Sequence, residues 1–403
     1  MGKFIVLVLD SFGIGAMSDV VSVRVSDVGA NTFGTIIKSY PDLKLPTLEA
    51  LGLMNTCQYK SAKMKYSNKA IYGKSELAHH GADSFLGHQE IVGTVPNLQE
   101  SSYFQKDLEI VKNHLVNNKH KVEVIGDKLK YLLVDDYVTV ADNIDSDLGM
   151  AYNCTAPLDY IDYDLVLSIG KQVREVVKTG RVIAFGGRGN NIKDLFKAAQ
   201  IKEDKYIGIN APLSGSYNQG YQCRHLGFGT DSSSQIQTIL TQQKIPVTFI
   251  GKVADIVENN QGKSISCVDT EKVLDLTISE IKNMEHGLII SNVQETDLAG
   301  HGQNTEKYKD LIVLSDKKLA KMVELLGDED VLIVMADHGN DPGIGHNRHT
   351  REIVPLLICA KKYPPHDIGT RKSMSDVAAT IADYFGVKKP RDGSSFWNLI
   401  VNG

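Results

Sequence analysis

The stretch that decides the fold lies at residues 331–352, VLIVMADHGNDPGIGHNRHTRE. Its first six residues are apolar and are followed at once by Asp337 and His338. A short apolar run with this ending predicts a buried strand of a parallel sheet, with polar side chains facing the crevice at its carboxyl end. The stretch therefore predicts an α/β fold whose functional groups lie at strand ends.

Two further apolar runs end in the same way. Residues 4–9 lead into Asp10, and residues 287–293 lead to Asp297 and His301. Because the carboxyl ends of parallel strands share one edge of the sheet, we expect these side chains to meet those that follow the first run. Carboxylates and imidazoles bind divalent ions, and such groups together predict a two-metal site for phosphoryl transfer.

Each of these features alone also has an ordinary structural interpretation. An aspartate after a strand, such as Asp10, often caps the next turn. Asp297 and His301 are four residues apart, which suits one face of a helix but is also typical of a helix start with a surface histidine. In the segment GADSFLGH at residues 81–88, Ser84 follows Asp83 as in a helix N-cap, whose N-terminus favours an anion.

Composition limits the class of protein. The 403 residues exceed one hydrophobic core, and 42% apolar with 23% charged residues is ordinary for a soluble globular enzyme. The net charge of -5 without a basic block argues against nucleic acid, and no apolar run is long enough to span a membrane. The five cysteines are scattered without a C-x-x-C pair, which favours a reducing cytoplasm.

The chain is predicted to form a doubly wound core, residues 1–96 plus 220–403, interrupted by a smaller α/β cap domain at residues 97–219. In the core, helices are predicted at 32–40, 45–51, 232–241, 272–284 and 375–385, and a further strand at 246–252. In the insert, the predicted elements are helices at 106–118 and 165–178, strands at 121–125, 131–134, 138–141 and 181–184, and loops at 186–191 and 210–220.

Three motifs carry a resemblance to a known family. They are the segment from Asp337 to Glu352, the opening VLDSFGIG at residues 8–15, and GHQEI at residues 87–91. On these motifs the chain resembles the phosphopentomutases of the alkaline phosphatase superfamily over nearly its whole length. The resemblance implies an alkaline phosphatase-like doubly wound core with an inserted cap.

The resemblance also implies the ligands of two divalent ions, with manganese as the expected metal. One ion would take Asp10, Asp337 and His338, and the other Asp297, His301 and His349. Ser84 would lie between them and serve as the phosphorylated nucleophile, because two cations can lower the pKa of its hydroxyl. His88 is left open between a structural role and a ligand, and His346 is a rival for the place of His349.

The implied reaction interconverts the 1-phosphate and 5-phosphate of ribose or deoxyribose, with a sugar bisphosphate as primer and a cap that excludes water. The implied substrate contacts are Asp142, Arg181, Ile183 and Lys252. Arg181 suits a bidentate phosphate contact, although Arg181 and Lys252 could equally be solvated charges beside strands. A small sugar phosphate is the expected partner, whereas protein partners and oligomeric state are not predicted.

Four features depart from the family pattern, and one of them is that a family arginine upstream of Arg224 and His225 has no counterpart. Ala82 replaces a lysine of the nucleophile loop, and Phe185-Gly186 replaces an Arg-Pro pair. The spacing between Asp297 and His301 resembles that of cofactor-independent phosphoglycerate mutases. These departures keep two alternatives open, a mutase or metal-dependent phosphatase for another phosphorylated metabolite, and a metal-binding protein without catalysis.

Overall fold

The computed structural model describes residues 2–57, 59–96, 100–145 and 148–402. The chain forms two compact units, Met1–Pro96 with Thr230–Gly403, which we call the core unit, and Asn97–Gly229, which we call the inserted unit. The chain re-enters the core unit at Thr230, whereas the sequence placed this boundary at residue 220.

In the described residues the strands β1 to β16 are, in chain order, Lys3–Leu9, Ile71–Ser75, Val122–Ile125, Tyr131–Val134, Val138–Asp142, Ala151–Pro157, Arg181–Arg188, Ala199–Lys202, Tyr206–Ile209, Gln219–Gly227, Val247–Gly251, Lys263–Ile265, Gly287–Val293, Val331–Met335, Val354–Cys359 and His366–Arg371. The α-helices α1 to α15 of the same residues are Val20–Val23, Thr32–Ser39, Pro46–Ala50, Leu53–Thr56, Ser84–Ile91, Phe104–Asn117, Tyr163–Val176, Ile192–Lys197, Ile236–Gln242, Lys252–Ile256, Thr270–Asn283, Glu295–His301, Thr305–Leu325, Ser375–Phe385 and Trp397–Asn402. Among these helices, none has both the length and the apolar composition needed to cross a bilayer.

The core unit is built on one mixed sheet with the strand order β12-β11-β13-β1-β14-β15-β2-β16. The first five strands in this order, β12, β11, β13, β1 and β14, are parallel. Strand β15 runs antiparallel to both of its neighbours. Every residue of β13 and β14 is buried, as is typical of parallel strands in the centre of a sheet that is covered on both faces. This confirms the predicted α/β fold class.

The inserted unit contains a six-stranded sheet with the order β10-β7-β6-β5-β4-β3, and the hairpin β8-β9. Helices α6 and α7 pack against each other, and α7 packs on β7. Apolar residues of α7 recur at helical spacing, and they are buried with Val182 and Ala184 of β7 in one cluster. The other face of this sheet lacks such a large apolar cover among the described residues.

Strand β10 was not predicted from the sequence, and the end of its neighbour β7 was predicted too early. Gln219–Gly227 is polar and partly exposed, so it lacks the apolar pattern of a strand, but it pairs antiparallel with β7. This pairing extends β7 to Arg188, into the predicted loop, and holds the chain in the inserted unit to Gly229. The predicted helix at 232–241 begins instead as a 3-10 turn, Ser232–Ser234, and becomes α-helical at Ile236.

Candidate active site

The candidate site lies at the carboxyl ends of three adjacent strands, β13, β1 and β14. Asp10 directly follows β1, and its backbone N–H donates to the carbonyl of Val293 at the end of β13 (3.2 Å). Asp297 and His301 lie on α12, the short helix that begins just after β13. Asp337 follows β14 closely, so the parallel register brings all the predicted strand-end residues to one edge.

A first cluster of possible metal ligands consists of Asp10, Asp337 and His338. His338 Nε2 lies 3.3 Å from Asp337 Oδ2 and 3.5 Å from Asp10 Oδ1. All three side chains are fully buried. The structure therefore brings together the three residues that the sequence assigned to one ion.

A second cluster consists of Asp297, His301 and His349. His301 Nε2 lies 3.0 Å from His349 Nε2 and 3.3 Å from Asp297 Oδ2. His349 Nε2 lies 3.4 Å from Asp297 Oδ1. Asp297 and His349 also form a three-residue group with His338, whose ring stacks on that of His349 at 4.0 Å. The two clusters are thus adjacent.

Backbone carbonyls orient all three imidazoles. The Nδ1 atoms of His301, His338 and His349 lie 2.6, 2.9 and 2.9 Å from the carbonyls of Asn347, Gly339 and Ala82, respectively. A carbonyl only accepts a hydrogen bond, so Nδ1 must carry the proton and Nε2 presents its lone pair in the neutral ring. This is the usual way in which proteins orient a histidine ligand.

The donor atoms fit a cation. Among the described residues, neither Asp10 Oδ1 nor His338 Nε2 has a hydrogen-bond partner, although both atoms are buried. Burial also lowers the pKa of His338 to about 3, so this ring stays neutral. The Nε2 atoms of His301 and His349 face each other, and their lone pairs repel unless a cation or a proton lies between them. Oxygen and imidazole donors in this arrangement suit divalent ions such as Mn²⁺ or Zn²⁺.

Lys252, a predicted substrate contact, lies among these carboxylates. Its Nζ is 2.9 Å from Asp10 Oδ2 and 3.6 Å from Asp297 Oδ2. Burial disfavours the ammonium, but Asp10, Asp297 and Asp337 outweigh burial and hold the pKa of Lys252 above its ordinary value. Burial, then the Asp337 charge, raises the pKa of Asp10 to about 7. Lys252 thus supplies fixed positive charge beside both clusters.

Ser84 is the first residue of α5 and is buried. Its Oγ donates to Asp337 Oδ2 over 2.6 Å. Asp83 is the N-cap, as predicted, and its side chain accepts from the backbone N–H of Leu86. The hydroxyl is therefore held against Asp337, a possible ligand of the first cluster, at a helix N-terminus that favours negative charge.

Gly87 allows α5 to lie close to the backbone of Asp337. A Cβ at this position would lie 2.7 Å from the carbonyl oxygen of Asp337, closer than real atoms pack. One turn from Ser84, His88 Nδ1 lies 2.9 Å from the Ser84 carbonyl and 3.2 Å from Asp337 Oδ2. Its Nε2 lies 2.9 Å from the side-chain nitrogen of Asn292. Through these contacts, His88 holds Asp337 and α5 in place.

Arg351 lies in the stretch that decides the fold, but the sequence analysis assigned it no role. This buried guanidinium donates through Nε and Nη2 to the two oxygens of Asp19, at 2.9 and 2.8 Å. It also donates to the carbonyls of His79 and Gly81, both at 2.7 Å, and of Leu77 at 3.0 Å. Arg351 therefore fixes the segment that leads into Ser84, and its position two residues after the candidate ligand His349 was the available signal.

Two asparagines and a glutamate were also missed. Asn292 donates to Asp10 Oδ2 (3.1 Å), and Asn340 donates to Asp297 Oδ1 (2.9 Å). Glu352 accepts from the backbone and hydroxyl of Thr32 and thereby supports the loop after Asp10. Polar residues within a buried strand, such as Ser291 and Asn292 in β13, are the signal that could have identified Asn292.

His346, the rival of His349, is placed elsewhere. Its Nε2 lies 3.4 Å from Asp27 Oδ1, outside the two clusters. His349 instead reaches Asp297, while its Nδ1 is held by the carbonyl of Ala82. Of the two histidines, the structure brings only His349 to the candidate site.

The remaining predicted substrate contacts lie in the inserted unit. Arg181 and Ile183 are two residues apart on β7 and line the same cavity. Asp142 does not join them, because its two oxygens accept backbone N–H bonds from Phe104 (2.8 Å) and Ile207 (2.9 Å). Burial raises the pKa of Asp142 to about 6. Asp142 thus anchors β5 to its neighbours.

Comparison with known proteins adds an independent line of information. A family model described as the metalloenzyme superfamily matches residues 2–389. The chain is 30% identical to a phosphopentomutase of Alkaliphilus oremlandii (strain OhILAs) and 30% identical to one of Alkaliphilus metalliredigens (strain QYMF). It is 28% identical to a phosphopentomutase of Desulfitobacterium hafniense (strain DSM 10664 / DCB-2). Each alignment covers 100% of both chains.

Proposed function

This chain belongs to the metalloenzyme superfamily and, within it, to the phosphopentomutases, and we propose that it interconverts the 1-phosphate and 5-phosphate of ribose or deoxyribose. The family and the enzyme class predicted from the sequence, an intramolecular phosphotransferase, are confirmed. The choice of substrate, the phosphoserine and the number and identity of the metal ions are proposals.

One observation carries the proposal. The hydroxyl of Ser84 donates to Asp337, itself a member of a buried cluster of possible ligands, and a second such cluster is adjacent. Burial favours protonation of Asp337, but the charge and hydrogen bond of His88 and the charge of Lys252 hold the pKa of Asp337 below its usual range. Asp337 is therefore a carboxylate that can accept the hydrogen bond and keep Ser84 Oγ pointing into the site.

Asp10, Asp337 and His338 would hold one divalent ion, and Asp297, His301 and His349 the other. When bound, the ions would lower the pKa of the Ser84 hydroxyl and offset charge on the phosphoryl group. Manganese is the ion that we expect, with a sugar bisphosphate as the source of the first phosphate on Ser84.

The protein groups around Ser84 have separate tasks in this proposal. The N-terminus of α5 favours the negative charge of a phosphoserine. Lys252 offsets the excess of carboxylates, and His88 keeps Asp337 and α5 in register. In the inserted unit, Arg181 and Ile183 would contact the sugar phosphate, whereas we assign Asp142 to holding β5.

The test measures conversion of ribose 1-phosphate to ribose 5-phosphate by manganese-loaded protein primed with glucose 1,6-bisphosphate. Ser84→Ala is the test variant. Ser315→Ala is its matched control, because Ser315 is also buried in the core unit but its hydroxyl donates to Leu311 of its own helix. We expect turnover to disappear in Ser84→Ala and to persist in Ser315→Ala.

Mass spectrometry of the primed protein completes the test. Phosphate on Ser84 together with turnover supports the proposal. Phosphate on Ser84 without turnover of pentose phosphates would keep the phosphoserine and refute the substrate. Equal turnover by Ser84→Ala and the unmodified protein would refute Ser84 as the nucleophile.

A further inference from the structure

The turn that follows β1 contains a buried residue in an unfavourable backbone conformation. Ser11, directly after Asp10, has a φ of 66°, in the left-handed region that residues other than glycine seldom adopt. The other described non-glycine residues with positive φ are at least partly exposed, and they are Lys119, Asp135, Asp136, Glu203, Asp204, Lys244 and Gln303. A strained conformation of this kind persists in a buried residue only where its surroundings impose it.

Hydrogen bonds hold every polar group of Ser11 in this conformation. Its backbone N–H donates to Asp337 Oδ1 over 3.1 Å. Its carbonyl accepts from the N–H of Gly13 (2.9 Å) and from the hydroxyl of Tyr308 (3.1 Å). Its own hydroxyl lies 3.2 Å from the same Tyr308 oxygen. Because the Tyr308 hydroxyl already donates its one proton to the carbonyl, the Ser11 hydroxyl must donate the other bond.

Tyr308 is well suited to hold this turn. It lies near the start of α13, and its side chain is fully buried. Burial raises the pKa of Tyr308 well above its ordinary value, so the hydroxyl keeps the proton that it donates. Helix α13 packs on α12, the helix that carries Asp297 and His301. Tyr308 therefore ties the turn after β1 to the two helices that follow β13.

The conformation of Ser11 affects two candidate ligands at once. Asp10 precedes it, and the Asp10 carbonyl accepts from the hydroxyl of Thr296 (2.7 Å). Asp337 accepts the Ser11 N–H through Oδ1 and the Ser84 hydroxyl through Oδ2. A change of φ at Ser11 rotates the peptide before it relative to the peptide after it. Asp10 and the N–H that Asp337 accepts therefore cannot both keep their places if the turn relaxes.

We propose that Tyr308 is a positioning residue of the first ligand cluster, because its hydroxyl holds Ser11 in the left-handed conformation that keeps Asp10 and Asp337 in place for a divalent ion. The inference rests on the proposed function and deepens it, since it assigns part of the affinity for the ion to a residue outside both clusters. Without the Tyr308 hydroxyl, the turn relaxes in the metal-free protein, and binding of the ion must restore the unfavourable φ.

The test measures binding of manganese alone to the full-length, metal-free protein, by electron paramagnetic resonance of the free Mn²⁺. The key variant is Tyr308→Phe, made in the unmodified protein and in combination with Ser11→Ala or Ser11→Gly. Both changes at residue 11 remove its hydroxyl, but only glycine adopts a positive φ without strain. The comparison therefore separates the backbone conformation of residue 11 from the loss of its hydroxyl.

Tyr384→Phe is the matched control. Tyr384 is also a buried tyrosine of the core unit whose hydroxyl bonds two backbone groups. It accepts from the N–H of Gly2 (2.7 Å) and donates to the carbonyl of Glu329 (2.8 Å). Gly2 lies just before β1, at the end of the strand opposite to Asp10. The control thus removes a similar pair of bonds without changing the turn at Ser11.

We expect Tyr308→Phe to raise the Kd for Mn²⁺ by about tenfold, because binding must restore one left-handed residue. Adding Tyr308→Phe to Ser11→Ala should raise the Kd by the same factor. Adding it to Ser11→Gly should change the Kd by less than about threefold, because the two changes then act on the same strain. Tyr384→Phe should leave the Kd unchanged.

Three outcomes for the Kd would overturn the inference. They are an unchanged Kd in Tyr308→Phe, an equal increase in Tyr384→Phe, and an equal effect of Tyr308→Phe when combined with Ser11→Ala and with Ser11→Gly. Folding of each variant is checked by urea denaturation. A Tyr308→Phe protein that folds only in combination with Ser11→Gly would support the inference, whereas failure to fold even in that combination would overturn it.

Failure of the two proposals can be told apart. A manganese affinity that depends on Tyr308 as expected, without turnover of pentose phosphates, would refute the proposed reaction and leave the role of Tyr308 standing. Turnover of ribose 1-phosphate by the unmodified protein, with the same manganese affinity in Tyr308→Phe, would refute that role and leave the reaction standing.

Discussion

Replacement of Arg351 by lysine is the sharpest test of how the Ser84 segment is held in place. Arg351 makes five hydrogen bonds, two to Asp19 and three to carbonyls of the segment between Leu77 and Gly81. The variant keeps the positive charge but replaces a planar fork by a single ammonium. It therefore tests geometry rather than charge.

The magnitude follows from the number of donors. A lysine ammonium has three donors on one nitrogen, so at least two of the five bonds of Arg351 are lost. Hydrogen bonds to charged groups contribute roughly 1.5–3 kcal/mol each, so two of them amount to at least about 3 kcal/mol. This corresponds to about a hundredfold increase in local opening of the segment before Ser84.

The assay is amide hydrogen exchange, read by mass spectrometry over residues 77–83, with kcat measured on the same sample. We expect faster exchange in this segment of Arg351→Lys and a kcat at least about tenfold lower, because Ser84 follows directly. Arg371→Lys is the control, since Arg371 is a partly buried arginine that makes one hydrogen bond to Asp376. Unchanged exchange at 77–83, or an equal increase in the control, would refute the reasoning.

Three further changes have expected outcomes. Gly87→Ala should lower the free energy of unfolding, measured by urea denaturation, by about 2 kcal/mol and abolish turnover, because the new Cβ would overlap the Asp337 carbonyl. Retained activity would contradict the close approach of α5 to Asp337. Manganese at a hundred times its Kd should raise stability to unfolding by about 2.7 kcal/mol, and His338→Ala should remove most of this gain in calorimetry. The folded pKa of Asp142, about 6, lies above its unfolded value of 3.8, so the folded state holds this proton more tightly and stability falls as pH rises from 3.8 through 6. In urea denaturation, the free energy of unfolding of the unmodified protein should fall by roughly 2–3 kcal/mol across this pH range, whereas that of Asp142→Asn should not. An equal fall in the variant would refute the role of Asp142.

The strand-end residues could be predicted from sequence because their signal is local. A run such as residues 4–9 must be buried on both faces to be so apolar, and Asp10 marks where it leaves the sheet. The helical spacing of Asp297 and His301 likewise places both on one face of α12 without knowledge of any neighbour. Burial of a strand and the geometry of a helix leave patterns within a few consecutive residues, so they can be recognised in a single sequence.

Other features were decided by contacts that spacing does not encode. His346 and His349 are equivalent in sequence, and it is the carbonyl of Ala82 that orients His349 toward Asp297. Strand β10 is polar and exists because β7 supplies its hydrogen bonds. The edge pairing also carries Tyr221 to the cavity wall.

The sequence by itself determined the α/β class, the strand ends that supply Asp10 and Asp337, and the nucleophile candidate Ser84. Only the tertiary structure decided the hydrogen bonds that Arg351 makes to Asp19 and to the segment before Ser84, and the side of the sheet that each polar residue occupies. Side chains alternate along β7, so Val182 and Ala184 lie in the apolar cluster with α7 whereas Arg181 and Ile183 line the cavity, and pairing with strands far away in the chain fixes which face is which.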